Sequence, residues 1–153
     1  MGTGMLDEGD DAPTVTAEDQ GGETLTLDFE APTVLYFYPR DDTPGCTIEA
    51  KGFDAELAAY DEAGVAVYGV STDDAASHRE FREKYGLDVD LLADPEGEVA
   101  AAFDVDTSGG AAERVTFVLA DGTVRAAYGG VSPDGHAESV LDDIRASGLL
   151  PEE

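Results

Sequence analysis

A chain of 153 residues, 42% of them hydrophobic, is long enough to build one domain around a substantial core, so residues 1–153 are read as a single unit. The charge balance is extreme: 35 acidic residues face 8 basic ones, a formal net charge of −27, and only Lys51 and Lys84 are lysines. That balance excludes nucleic acid as a ligand, because nothing could neutralise its phosphates, and no apolar run approaches the roughly 18 residues of a membrane-spanning helix.

The acids are spread along the chain in short groups, which is not the pattern of a disordered acidic tail. Two readings of them stay open. One is a surface suited to molar salt, as in a halophile, where a Debye length of about 3 Å screens self-repulsion. The other is a face for a basic partner. A single cysteine, Cys46, permits no internal disulfide, and the opening MGTGMLDEGDDAP has neither the positive nor the apolar region of a signal peptide. Both features predict a soluble, cytoplasmic protein.

Residues 1–12 are polar and acidic and read as a loose lead-in, above all 1–8. Residues 14–16 and 24–27 alternate about Gln20-Gly21-Gly22, which predicts an edge hairpin. Val34-Leu35-Tyr36-Phe37-Tyr38 is continuously apolar and predicts a strand over 33–38 covered on both faces. Pro39 ends that strand, Arg40-Asp41-Asp42 form a polar turn, and a helix is predicted over 44–60, closed by Gly64. A second buried strand follows over 65–70. Residues 71–74 supply N-caps for a helix that runs to Tyr85 and stops at Gly86, with His78, Phe81 and Tyr85 on one face.

Leu91-Leu92 reads as a short strand, Asp94-Pro95 as a turn, 98–103 as a short helix, and Ala111-Ala112 as the end of a glycine-containing loop. Residues 114–120 and 123–128 flank Asp121-Gly122 as a tight β-hairpin. The last helix, over 135–146, carries Ala137, Val140, Leu141 and Ile144 on one face. Strands alternating with helices imply a parallel core, and the late hairpin adds antiparallel strands. The fold class is therefore α/β, a central mixed sheet flanked by helices, with an N-terminal hairpin and an insertion before the last one.

The chemistry centres on Cys46. Thr43 is a good N-cap and Pro44 a good first helical residue, which puts Cys46 at the third helical position, where amides lack partners and the helix dipole favours an anion. Cys46, Ala50, Phe53, Leu57 and Tyr60 recur at spacings of 4 and 3, so they share the face that packs on the sheet. A lone cysteine is commonly a small buried hydrophobe. An inert thiol, however, needs no N-cap, N1 proline and strand–turn–helix junction around it, whereas reactive cysteines favour helix N-termini.

Pro39-x-x-x-Thr43-x-x-Cys46 resembles the active-site signature of the peroxiredoxins, and the wider wording is similar to the bacterioferritin comigratory protein (PrxQ-type) branch. Matching pieces include Gly69-Val70-Ser71, His78-x-x-Phe81, Leu91-Leu92-Ala93-Asp94-Pro95, Arg114-Val115-Thr116-Phe117 and Gly135-His136, over roughly residues 9 to 147. The resemblance implies a thioredoxin-like fold, a thiol-dependent peroxidase with no cofactor, and Cys46 as the nucleophile that becomes a sulfenic acid. It further implies Arg114, at the start of a late strand, as a donor to sulfur and peroxide, and Pro39 as a shield of the thiolate from water.

Thiolate population alone does not make such a reaction fast. For any cysteine, a pKa drop from about 8.5 to about 6 raises the thiolate fraction at pH 7 only about thirtyfold, and nucleophilicity falls with it. Most of the barrier must yield to preorganised donors: the amides of Gly45 and Cys46, the Thr43 hydroxyl, and the arginine. Simpler roles stand beside these: Thr43 as a plain N-cap, Arg114 as a surface charge pair, Pro39 as a strand terminator. Arg40 is read as solvated. His78 and His136 have no metal-ligand spacing, so no metal is expected, and His78 is read as packed or hydrogen-bonded within its helix.

Many relatives in this branch carry a resolving cysteine five positions after the first, a place taken here by Lys51. The reductant must then be external: a low-molecular-weight thiol, a thioredoxin-like protein, or Cys46 of another subunit. Threonine at position 43 and Glu113-Arg114 before the late strand argue against a disulfide exchanger. The chain is expected to act as a monomer or homodimer, without membrane or nucleic acid. Two further readings stay open: a peroxide-responsive redox sensor with little turnover, and a non-catalytic binding module.

Overall fold

The computed structural model describes residue 6 and residues 8–107, 112–129 and 135–147. Its strands are β1 (Val15–Asp19), β2 (Thr24–Leu27), β3 (Thr33–Phe37), β4 (Ala66–Ser71), β5 (Asp90–Ala93), β6 (Val115–Ala120) and β7 (Thr123–Gly129). Its helices are α1 (Pro44–Ala55), α2 (Leu57–Glu62), α3 (Ala75–Tyr85), α4 (Glu98–Ala102) and α5 (His136–Ser147). The strands form one mixed sheet in the order β2-β1-β5-β4-β3-β6-β7. The β3–β4 and β4–β5 pairs are parallel, and all others are antiparallel.

β3 is buried at every residue because both faces of the sheet are covered, as its unbroken apolar run requires. Val34, Tyr36 and Tyr38 face a core built with Phe53, Tyr60 and Phe81 and with Val140, Leu141 and Ile144 of α5. Leu35 and Phe37 face the opposite core, around Phe29, Val99, Phe103 and Phe117. Tyr36 stacks on Phe53 with ring centroids 4.4 Å apart, and its phenol end covers its strand neighbour Gly69. A Cβ at Gly69 would sit 2.6 Å from Tyr36 Cζ, so no larger residue fits beneath that ring.

Most of the expected elements are present to within a residue or two. Asp74 caps α3 by accepting from the Ser77 amide at 2.8 Å, and Gly86 ends it in the left-handed conformation. Asp121 and Gly122 both take positive φ, the tight turn anticipated for the last hairpin. Residues 108–111, which include Ala111, lie outside the described residues.

Three expectations are corrected. The helix predicted over 44–60 is two helices, broken at Glu56 (φ −95°, ψ 2°), whose amide is shared between the Gly52 and Phe53 carbonyls at 3.2 Å each. Phe53 is anchored on Tyr36 and Tyr60 on the Ala137 carbonyl (2.7 Å), and the bend between them leaves Leu57 only half-buried. The buried face of α1 takes in Glu49 instead. Finally, the described part of the lead-in, residue 6 and residues 8–12, is held to the fold. The Leu6 amide bonds the Phe103 carbonyl, and Gly9, Asp10 and Ala12 pair with Gly122 and Val124 at the β7 edge. An open strand edge captures whatever backbone passes it, and that affinity has no side-chain signature.

Candidate active site

The site grows from the C-terminal end of β3, in the middle of the sheet. β3 and β6 run antiparallel with Phe37 opposite Val115, so Arg114, one residue before β6, is delivered to the end of the sheet where β3 hands over to α1. Two segments 68 residues apart meet there for a reason of register alone.

Thr43 has the extended backbone of an N-cap (φ −100°, ψ 155°) and Pro44 opens α1. The first helical bond runs from the Thr47 amide to the Thr43 carbonyl at 2.8 Å, leaving the amides of Gly45 and Cys46 without a helical carbonyl to bond. The Thr43 side chain does not cap the helix, which corrects the expectation. Its hydroxyl donates to the Arg40 carbonyl at 3.2 Å instead. Asp42, at φ 61°, closes a tight turn over residues 40–43 and brings that carbonyl within reach. Pro39 is half-buried at the strand end, and Arg40 is exposed, as anticipated.

Cys46 is 1% exposed and sits at the open end of the core stripe. Arg114 Nη2 donates to its Sγ at 3.5 Å, while Nη1 donates to Glu49 Oε1 at 2.5 Å. Glu49 is the residue that sequence reasoning missed. Lying three positions after Cys46 it shares the helix face, and that spacing was the available signal. Its side chain is fully buried and Oε2 has no hydrogen-bond partner. Burial lifts the Glu49 pKa from 4.5 to about 7, against the opposing pull of Arg114. For Arg114, burial works against the charge, but Glu49 and then Cys46 outweigh it and push the pKa up. One guanidinium thus bridges a sulfur and a half-satisfied carboxyl.

The histidines serve elsewhere. His136, at the start of α5, packs edge-on against Phe53 and sets Nε2 2.8 Å from Thr116 Oγ1. Burial first, and then the charge of Arg114, hold its pKa below the ordinary imidazole value. His78 is fully buried on α3, but its bonds leave its own helix: Nδ1 lies 2.8 Å from Asp41 Oδ2 and Nε2 2.9 Å from the Leu92 carbonyl. Among the described residues no group of three or more His, Cys, Asp or Glu side chains is placed to hold a metal ion.

Residues 8–127 match the model of the AhpC/TSA family. In sequence the chain is similar to peroxiredoxin Q, chloroplastic, of Oryza sativa subsp. japonica: 40% identical over 149 residues, 94% of this chain and 69% of the relative. In structure it is similar to peroxidoxin BcpB from Mycobacterium tuberculosis, with a TM-score of 0.85, 34% identity, and coverage of 92% of this chain and 97% of that one. It is also similar to a bacterioferritin comigratory protein of Xanthomonas campestris described for its alkyl peroxide reduction activity, with a TM-score of 0.80, 36% identity, and coverage of 87% and 91%. The thioredoxin-like peroxiredoxin fold is common to these structures, and the chain belongs to the AhpC/TSA family, in its peroxiredoxin Q/bacterioferritin comigratory protein branch.

Proposed function

We infer that this protein is a thiol-dependent peroxidase of the one-cysteine type, acting on hydrogen peroxide and organic hydroperoxides through Cys46. The observation that carries the reading is the guanidinium of Arg114 within 3.5 Å of the Cys46 sulfur, at a helix start whose first amides are uncommitted. The Cys46 thiolate attacks one peroxide oxygen. A sulfur–oxygen bond forms, the O–O bond breaks, and its electron pair leaves on the second oxygen, which takes a proton to depart as water or an alcohol. Arg114, the amides of Gly45 and Cys46 and, once it turns away from the Arg40 carbonyl, the Thr43 hydroxyl are the donors for the two oxygens, where charge is redistributed in the transition state. Pro39 screens the sulfur from water. Glu49 fixes the guanidinium against Cys46.

Cys46 is the only cysteine in the sequence, so the sulfenic acid is reduced from outside. An external thiol displaces water from the sulfenic sulfur, and a second thiol releases Cys46 and carries away the disulfide. A thioredoxin-like protein or a low-molecular-weight thiol fits that role. The protein works as a monomer or homodimer in the cytoplasm, and its acid-rich surface suits molar salt. Unfolding in low salt and in molar KCl tests the last point, which fails if stability is equal in both.

The deciding experiment adds one equivalent of hydrogen peroxide to the wild type and to Cys46→Ser in molar salt, following thiol loss and sulfenic-acid trapping. A bimolecular rate far above that of a free small-molecule thiol, absent in Cys46→Ser, is expected. A rate no faster than the free thiol rejects the peroxidase, and a fast oxidation without steady turnover on any added thiol leaves a redox sensor.

A further inference from the structure

The loop between β3 and α1 carries Pro39 at one end and Thr43 at the other, so its position sets the aim of Cys46. Apart from Pro39 its residues are polar, and such a loop is ordinarily held by little. Here the side chain of its central residue, Asp41, is almost fully buried, 5% exposed. The Asp41 amide donates to Asp73 Oδ2 at 2.7 Å. Tyr38 Oη donates to Asp41 Oδ1 at 2.6 Å, Ser77 Oγ donates to Oδ2 at 2.7 Å, and His78 Nδ1 stands 2.8 Å from the same oxygen.

The far side of the imidazole settles the direction of that last bond. Nε2 is 2.9 Å from the Leu92 carbonyl, which only accepts, and Nδ1 faces a carboxylate, so the ring satisfies both neighbours by donating from both nitrogens. Asp41 and His78 then form a buried pair with every polar atom engaged. Such pairs add little net stability compared with apolar residues of the same volume, but they hold one geometry, and loss of either partner strands the other. The pair links three places: the loop, helix α3, and the C-terminal end of strand β5.

We propose that Asp41 and His78 are positioning residues for the peroxidase reaction, by which α3 holds the Pro39–Thr43 loop and so the line of Cys46 toward the peroxide. This rests on the peroxidase reading of the same site. Neither side chain touches the reacting atoms. They act through the loop, because a displacement of about 1 Å in a preorganised site is enough to lose about a hundredfold in rate.

The test compares two reactions of Cys46 in the wild type, Asp41→Asn, His78→Gln and the double variant. Oxidation by hydrogen peroxide needs the aligned site; alkylation by iodoacetamide needs only a reachable thiolate. Each single variant is expected to lose about a hundredfold in peroxide rate while alkylation stays equal or rises, and the double variant to be no slower than the worse single one. Tyr60→Phe, which removes a buried hydroxyl bonded to the Ala137 carbonyl at 2.7 Å, serves as the stability control and is expected to melt earlier with both rates intact. Proton NMR of the wild type is expected to show two ring N–H signals for His78, and this reading stands even if His78→Gln does not fold. Peroxide rates within threefold of wild type in Asp41→Asn overturn the proposal, as do peroxide and alkylation rates that fall together, or a single ring N–H signal. A wild type that reacts slowly with peroxide would instead remove the peroxidase reading on which the proposal rests.

Discussion

Two acids with buried side chains flank Cys46 in sequence, Asp41 against the His78 imidazole and Glu49 against the Arg114 guanidinium, and they are built differently. Asp41, in the loop before α1, has both oxygens engaged, by Tyr38, Ser77 and His78. Glu49, within α1, has one oxygen on Arg114 and the other on nothing. A fully satisfied buried acid is a fixture. A half-satisfied one keeps an unsettled charge, because burial outweighs the one cation beside it, and the Glu49 pKa is lifted from 4.5 to about 7. Perturbed groups of that kind belong where charge and protons move, and satisfied ones where geometry must hold.

The largest effect expected within this comparison comes from Arg114→Met. It removes the donor to Sγ and leaves Glu49 buried without its cation. Competition kinetics should show the peroxide rate down by about 10²–10³, the range for losing one preorganised donor. A loss under tenfold would mean that the helix amides alone carry the site. Arg114→Lys should rescue little, since a point charge cannot bridge two acceptors as the planar fork does.

Next comes the pH dependence of stability. The Glu49 pKa is raised from 4.5 to about 7 on folding, so its contribution is fully present below about pH 4.5 and is lost as the pH rises through 7. The full swing is about 3 kcal/mol. Urea midpoints in molar salt at several pH values between 4 and 9 should show that slope in the wild type, with Glu49→Gln flatter by that amount. Equal slopes would place Glu49 with the satisfied acids and erase the contrast with Asp41.

Tyr36 offers a finer cut. Its hydroxyl is buried without a partner, and its pKa is raised well above the ordinary tyrosine value, by burial first and then by Glu49. If this unpartnered group is merely a penalty, Tyr36→Phe should raise stability by about 1 kcal/mol and leave the peroxide rate alone. A rate loss in Tyr36→Phe would show instead that the hydroxyl takes part in the reaction.

The smallest effect belongs to the exposed neighbour of Asp41. Asp42 is held by Lys84 Nζ at 2.7 Å and by the Tyr85 hydroxyl, out in solvent. Screened pairs of this kind contribute little. Lys84→Ala should keep the peroxide rate within about twofold of wild type and the melting temperature within the scatter of repeat melts. A large loss would mean that the exposed pair, and not Asp41 with His78, holds the loop.

Much of this site is legible in the chain. The apolar run of β3, the Thr43-Pro44 opening of α1 and the caps of α3 are local, and local physics suffices for them. Even the miss at Glu49 was avoidable, since an acid three residues after a buried-face cysteine shares its face. The helix break at Glu56 was beyond reach, because it reflects two aromatic anchors on different partners. So was the use of the Thr43 hydroxyl, which depends on a left-handed turn at Asp42.

From its own residues the sequence determined that Cys46 opens a helix at the end of a buried strand, because caps, prolines and apolar periodicity act over a few neighbours. Tertiary structure alone decided that Arg114 reaches the sulfur, that Glu49 is half-satisfied beneath it, and that His78 holds Asp41. These contacts join segments 37 to 68 residues apart, and only strand register and helix packing bring such segments together.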